Sequence, residues 1–315
     1  MPHQIEIIAI GNELLKGIIV NSNAAEIASA LFKNGYSCSQ QFVIPDERES
    51  IKKQILDSLL RNKIVITTGG LGPTCDDITR QVAAEVYNSD FSLNAELAEE
   101  LKQRYGNKQV SVEDQATVPI KASILKNPLG TAPGIVFNTE LGTLILLPGV
   151  PKEMRGMLHD QVIPYLKSHF PISNPPISRS IHLFNISESA VDPSLRQLEI
   201  SFPHVEFGIY PSHGLISIHA TINAPENESG MQLDDVMEFL KAQFTEHYYS
   251  DNSGKIEMAI QDLFIKNGWT LCTAESCSGG AIASRLTKIQ GASEYYIGGC
   301  VTYSNSLKEK LLHVD

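Results

Sequence analysis

The stretch Lys63-Ile64-Val65-Ile66-Thr67-Thr68-Gly69-Gly70-Leu71-Gly72-Pro73-Thr74-Cys75-Asp76-Asp77 decides the fold. Its first half is a short β-branched run of the kind that forms a strand buried on both faces. That run passes directly into three glycines, and a helical pattern follows from Asp77 to Tyr87. Upstream, Ile5 to Ile10 is a second apolar strand closed by Gly11, and Asn23 to Asn34 has helical periodicity ending at Gly35. Tyr36 to Ile44 reads as a strand running into Pro45-Asp46, and Glu49 to Asn62 as an amphipathic helix with Ile51, Ile55, Leu56, Leu59 and Leu60 on one face. Strands alternating with helices predict an α/β fold: a mostly parallel sheet with helices on both faces.

Downstream, Asn94 to Tyr105 is helical. Ile135 to Phe137 and Thr143 to Leu147 flank a turn at Asn138 to Gly142, which predicts a hairpin on the same sheet. Pro148-Gly149-Val150-Pro151 follows, then one helix from Lys152 to His169. The proline-rich stretch 171–176 reads as a linker into a small α+β module, with strands at Ser178 to Asn185, Val205 to Tyr210 and Leu215 to Asn223 and helices at Glu188 to Leu198 and Met231 to Phe244. Tyr248 to Gly254 reads as a second linker. A partial α/β unit follows, with a helix over Lys255 to Asn267, strands at Trp269 to Thr273 and Tyr296 to Tyr303, and a helix over Asn305 to Leu312.

The 315 residues carry 25 Lys and Arg against 36 Asp and Glu, a formal net charge of −11. That balance argues against binding a nucleic-acid backbone, which needs basic patches. It suits an enzyme whose anionic substrate is met by backbone N–H groups or by a cation. Cys38, Cys75, Cys272, Cys277 and Cys300 show no metal-ligand spacing, and their irregular, odd number reads as reduced thiols. No signal peptide and no membrane-length apolar run is recognised, so the sequence predicts a cytoplasmic protein with no membrane partner.

A glycine-rich loop between a strand and a helix can present N–H groups to a phosphate. This one is neither a Walker loop nor GxGxxG. A rival reading is a plain strand-to-helix turn with Asp77 as the helix N-cap. Asp76 and Asp77 favour the first. Two carboxylates beside phosphates repel them unless a hard divalent cation sits between. Ligands collect at the carboxyl ends of parallel strands, so Glu13 and Asp46 from the neighbouring loops are predicted to converge there.

Gly11-Asn12-Glu13, Asn21-Ser22-Asn23, Thr68 to Thr74, Asp76-Asp77, Pro148 to Pro151 with Glu153-Met154, and Ala274-Glu275-Ser276-Cys277-Ser278-Gly279-Gly280 occur in the order of the CinA (competence/damage-inducible) family, and the resemblance covers essentially the whole chain. It implies a molybdopterin-binding-like (MoCF) domain over 1–170, a KH-like α+β module over 176–248 and the start of a nicotinamide mononucleotide deamidase domain over 254–315, cut short. It further implies metal-dependent ADP-ribose pyrophosphatase activity with magnesium, manganese or cobalt, and potassium as an added cofactor. Asp46, Asp76 and Asp77 would hold the metal and act in catalysis. Gly11, Asn12, Glu13, Gly69, Gly70, Gly72, Pro73, Thr74, Pro148, Gly149 and Pro151 would bind a nucleotide substrate. Molybdopterin binding or adenylylation, and a non-enzymatic role as an interaction protein, stay open as alternatives.

In the middle module no GxxG occurs between residues 171 and 250, and Arg179, Arg196 and Lys241 face ten acidic residues. A nucleic-acid-binding KH fold needs that loop, so a spacer or homodimerisation role is expected instead. In the last unit the resemblance implies Ser276 as an amide-hydrolase nucleophile assisted by Tyr303 and Lys308, with Ser278, Gly279 and Gly280 binding substrate. Cys277 is a rival nucleophile on chemistry alone. Because the family's domain continues past Asp315, the expectation is that this second motif is inactive.

Overall fold

In the computed structural model, residues 4–106, 112–173, 175–222, 226–251 and 253–314 are described. The chain forms two compact units, Met1–Pro175 and Pro176–Asp315.

The first unit runs β1 (Gln4–Ile10), α1 (Asn12–Leu15), α2 (Ser22–Lys33), β2 (Ser37–Ile44), α3 (Arg48–Arg61), β3 (Ile64–Thr68) and α4 (Thr79–Val86). There follow β4 (Phe91–Leu93), α5 (Ala95–Tyr105), α6 (Val112–Ala116), β5 (Thr117–Pro119), β6 (Ala122–Leu125), β7 (Gly134–Thr139), β8 (Gly142–Leu147), α7 (Pro151–Met157) and α8 (Ile163–His169). Six strands form one sheet in the order β2-β1-β3-β8-β7-β6. The first four are parallel, and β7 and β6 add antiparallel pairings. The expected mixed α/β architecture is therefore present, hairpin included.

Alternate side chains of the central strands feed two cores. Ile5, Ile7, Ile64, Ile66, Ile145 and Leu147 pack with α2, α7 and α8 on one face. Ile8, Ile10, Val65, Leu144 and Leu146 pack with α3 and α4 on the other. Helices thus cover both faces, as a parallel sheet requires. Buried on β1, Glu6 receives two hydrogen bonds from Arg61, at 2.9 and 2.8 Å, and one from Asn62 at 2.7 Å. Burial works to raise its pKa, but the bonds from Arg61, Ser58 and Asn62 outweigh it and hold the carboxyl below its ordinary range.

Three expectations need correction. The helix after the glycine loop starts at Thr79 rather than Asp77. The Asp77 N–H bonds to Thr74 O and the Ile78 N–H to Asp76 O, so these residues turn tightly before the helix begins. The single helix read over 152–169 is interrupted by a π turn at Leu158–Val162. Pro164 has no N–H to return to the preceding turn, which is where such a bulge is tolerated. Tyr248–Ser250, read as linker, is a strand, β12.

The second unit holds β9 (Ile177–Phe184), α9 (Glu188–Ser201), β10 (Val205–Ser212), β11 (Leu215–Ile222) and α10 (Glu226–Gln243) before β12. These strands form a sheet ordered β10-β11-β9-β12, with α9 and α10 packed on one face. There follow α11 (Ile256–Asn267), β13 (Leu271–Glu275), α12 (Ala281–Thr287), β14 (Tyr296–Val301) and α13 (Asn305–Leu312), with β13 and β14 parallel. Asn223, read as the end of a strand, and the linker residues Asn174 and Asn252 lie outside the described residues.

Candidate functional site

Register fixes the site. Thr68 pairs with Ala9 on one side and Leu147 on the other, and Ile10 pairs with Ile44. The loops that leave β1, β2, β3 and β8 therefore emerge side by side at one sheet edge. Together with the 131–132 stretch before β7 and Glu153 of α7 they surround a cavity of about 660 Å³.

The glycine loop is shaped by what its missing side chains make room for. The Gly69 N–H extends the sheet by bonding Leu147 O at 3.0 Å, and a Cβ on Gly69 would collide with the Ile10 carbonyl. Gly70 has a φ of +69°, and its C=O accepts the Thr79 N–H at 3.1 Å. A Cβ on Gly72 would lie 2.6 Å from Asp77 Oδ2. That carboxylate closes the loop by accepting from Thr74 N–H at 2.9 Å and Thr74 Oγ1 at 2.5 Å. Among the described residues the N–H groups of Gly70, Leu71 and Gly72 have no acceptor. Three successive unpaired N–H groups at a cavity wall can take an oxyanion. The Gly69 N–H cannot, because the sheet uses it.

A buried asparagine ties the loops together. Asn23, at the start of α2, donates to Thr68 Oγ1 at 2.9 Å and to Gly149 O at 2.8 Å, while Thr68 Oγ1 donates to Pro148 O at 3.0 Å. The Pro148-Gly149-Val150-Pro151 turn is thereby held against the glycine loop, and a Cβ on Gly149 would sit 3.5 Å from Gly69 Cα.

Five carboxylates line the cavity, Glu13, Asp46, Asp76, Asp77 and Glu153, against one ammonium, Lys16. Asp46 is half-buried and takes the Asn12 N–H at 2.8 Å. Burial, and then the charges of Glu13, Asp76 and Asp77, keep its carboxyl above its ordinary range despite that bond. The expected convergence of Glu13, Asp46, Asp76 and Asp77 on one cavity is present. Among the described residues no group of three or more His, Cys, Asp or Glu is close enough to hold a metal ion unaided.

Two family models match the chain. One, described as a probable molybdopterin binding domain, covers residues 6–168, and the other, described as the CinA C-terminal domain, covers 253–315. A CinA-like protein of Prochlorococcus marinus (strain MIT 9312) is 33% identical over 318 residues, spanning 99% of this chain and 75% of its own length. The chain belongs to the CinA family. A CinA-like protein of Trichodesmium erythraeum is 34% identical over 98% of the chain and 74% of its own length. The crystal structure of the CinA protein of Thermoplasma acidophilum is 34% identical and aligns with 51% of this chain and 98% of that one, at a TM-score of 0.48.

The second motif of this CinA-family chain lies where β13 and β14 end together. Thr302 N–H donates to Glu275 O at 2.7 Å, so Ser276 and Tyr303 both follow that junction. Ser276 is half-buried, Cys277 exposed and Tyr303 74% exposed. Among the described residues no hydrogen bond joins Ser276 to Tyr303 or Lys308. Gly279 and Gly280 take φ values of +60° and +94°, and Ser278 O accepts the Ala281 N–H. The residue that organises this turn is one the sequence reading passed over. Glu275, buried, accepts the Ile282 and Ala283 N–H groups at 3.0 and 2.9 Å. Burial would raise its pKa, but those N–H groups, the Ser278 hydroxyl and the Gly280 N–H hold it low.

Asn23 and Glu153, quoted earlier only as parts of motifs, were not singled out as site residues. For Glu153 the signal was its place three residues into the helix opened by Pro148 to Pro151. Asn127, which holds Glu153, has no motif to mark it.

Proposed function

We propose that the first unit hydrolyses the pyrophosphate of ADP-ribose or a similar nucleoside diphosphate sugar with the help of a divalent cation. One observation carries this reading: Gly70, Leu71 and Gly72, whose N–H groups have no acceptor among the described residues, line a cavity together with five carboxylates and one lysine. An anion bound there needs a cation to offset the carboxylates. Magnesium-type ions keep their waters and take one or two protein carboxylates together with substrate phosphates. That donor set would be Asp46 with Asp76 or Asp77, which line the same cavity and whose charges act on one another. When bound, such an ion polarises phosphorus and makes water more acidic. The chain's own part is to seat the diphosphate on Gly70, Leu71 and Gly72, to keep Asp77 fixed through Thr74, and to orient the phosphate against the Pro148–Pro151 turn. Water adds at phosphorus, the bridging P–O bond breaks, and two monophosphates leave, whose second ionisations release up to two protons.

Asp77→Asn is expected to abolish ADP-ribose turnover with folding intact, because an asparagine can still offer one oxygen to Thr74 but presents an amide where a carboxylate stood. Hydrolysis at the natural rate by this variant rules the assignment out. The family model over residues 6–168 supports a second reading, molybdopterin binding or adenylylation in the same cavity. Turnover of molybdopterin with ATP, and none of ADP-ribose, would establish it. Amide hydrolysis is not assigned to Ser276, which has no base within hydrogen-bond reach among the described residues. Ammonia release from nicotinamide mononucleotide at a rate typical of amidases would overturn that. For the middle module a homodimer contact remains the proposal, on its acidic balance and missing GxxG.

A further inference from the structure

Glu153 is built into the cavity wall opposite in chemistry to the glycine loop. Its Oε2 accepts from Asn127 Nδ2 at 2.8 Å. Asn127 is buried and fully committed: Nδ2 also donates to Ala132 O at 2.8 Å, and Oδ1 accepts the Leu129 and Gly130 N–H groups at 3.2 and 2.9 Å. The Arg104 guanidinium braces the backbone of the same loop, donating to Asn127 O at 2.7 Å and Gly130 O at 3.4 Å, and pairs with Glu100. A Cβ on Gly130 would overlap the Glu153 carboxylate, so this loop leaves that space vacant for it.

Glu153 Oε1 has no hydrogen-bond partner and Glu153 no ion pair among the described residues. A carboxylate is an acceptor only, so whatever meets it must donate. It cannot take the phosphates, which share its charge. Among the parts of a nucleoside diphosphate sugar, the vicinal hydroxyls of ribose match a carboxylate with a free oxygen, the same chemistry by which an acidic residue reads ribose in dinucleotide folds.

We infer that Glu153, positioned by Asn127 and Gly130, reads a ribose diol and so sets the specificity of the cavity for ribosyl pyrophosphates. This rests on the pyrophosphate reading above, and the test separates the two. Binding of ADP-ribose and its two monodeoxy relatives, one lacking the adenosine 2′-hydroxyl and one the distal ribose 2-hydroxyl, is measured by calorimetry with magnesium, and hydrolysis is followed separately. The natural protein is expected to bind one deoxy relative roughly tenfold to a hundredfold more weakly than ADP-ribose, the range for a hydrogen bond to a charged group. In Glu153→Ala that preference is expected to fall to about twofold or less. Glu153→Gln, which preserves size, covers the case in which the alanine variant fails to fold. Discrimination that persists in the variants, its absence in the natural protein, or no binding of ADP-ribose overturns the inference. Binding with Glu153-dependent discrimination but no hydrolysis leaves it standing and removes the pyrophosphatase reading instead.

Discussion

Replacing Gly70 by alanine tests whether the glycine loop is a fixed scaffold or an adaptable turn. Gly70 has a φ of +69°, where an L-residue costs about 1–2 kcal/mol. The new Cβ would also run into Thr79 Oγ1 and lie 3.1 Å from Thr79 Cβ. Thr79 is fully buried and β-branched, so it cannot swing aside as a flexible side chain would. Overpacking of this kind adds about 1–3 kcal/mol. The sum is about 2–5 kcal/mol, which for a unit of this size lowers its unfolding midpoint by roughly 4–20 °C. Thr79→Ala separates the two parts. Among the described residues Thr79 Oγ1 has no hydrogen-bond partner, so removing it strands no donor there. In the Gly70→Ala, Thr79→Ala double variant the clash with Oγ1 is gone, so the steric part should shrink to the 3.1 Å contact with the remaining Cβ while the conformational part stays. Scanning calorimetry on the four proteins of the cycle measures the coupling. A Gly70→Ala protein within about 0.5 kcal/mol of the natural one, outside the range expected from these mechanisms, or a cycle with no coupling, would refute a rigid loop.

Two further outcomes follow from the buried carboxylates. Arg61→Met leaves Glu6 buried with Asn62 and Ser58 alone. The cost at neutral pH should be roughly 1–3 kcal/mol, less than for a fully buried pair because the Arg61 side chain is 41% exposed. Since the folded-state pKa of Glu6 is depressed, its contribution is present above the ordinary carboxylate value and lost as pH falls through the lower folded one, so natural and variant stabilities should converge in acid. Chemical denaturation as a function of pH reads this, and a gap that widens on acidification contradicts it. Glu275→Gln can satisfy the Ile282 and Ala283 N–H groups only with its one oxygen, so at neutral pH those amides should exchange faster with deuterium, an effect that also fades in acid as the natural carboxylate protonates. Unchanged exchange at both amides would show that Glu275 does not organise the turn.

Much of the first unit was legible because its central strands are buried on both faces and carry unbroken apolar runs, as at Ile5–Ile10 and Thr143–Leu147. The short pair of β4 and β5 was not, since Phe91–Leu93 is exposed and three residues give no period to read. Tyr248–Ser250 looked like a linker because its pairing partner, Leu183, lies 65 positions earlier and nothing local announces it. At the site, the glycines and paired aspartates announced an anion and a cation from local spacing. The division of labour within the loop did not show. Gly69 serves the sheet, Gly70 to Gly72 offer the donors, and Asp77 closes the turn on Thr74 rather than capping α4. Those roles depend on Ile10, Thr79 and Leu147, which the sequence brings close only after folding. Glu153 stayed hidden for the same reason, because the vacancy that seats it is a glycine 23 positions upstream.

The late arrival of β8 has a consequence for how the protein is made. Thr68 Oγ1 finds Pro148 O across 80 residues, and Asn23 finds Gly149 O across 126. Closing such spans is slow relative to forming a local helix. During synthesis the glycine loop therefore leaves the ribosome long before the strand that locks it, and for that interval the apolar edge of β3 has no neighbour on one side. A nascent chain paused before Leu147 holds every residue of the anion loop but lacks the bonds that Leu147, Pro148 and Gly149 supply to it. It is exposed to the edge-to-edge pairing that the finished sheet prevents.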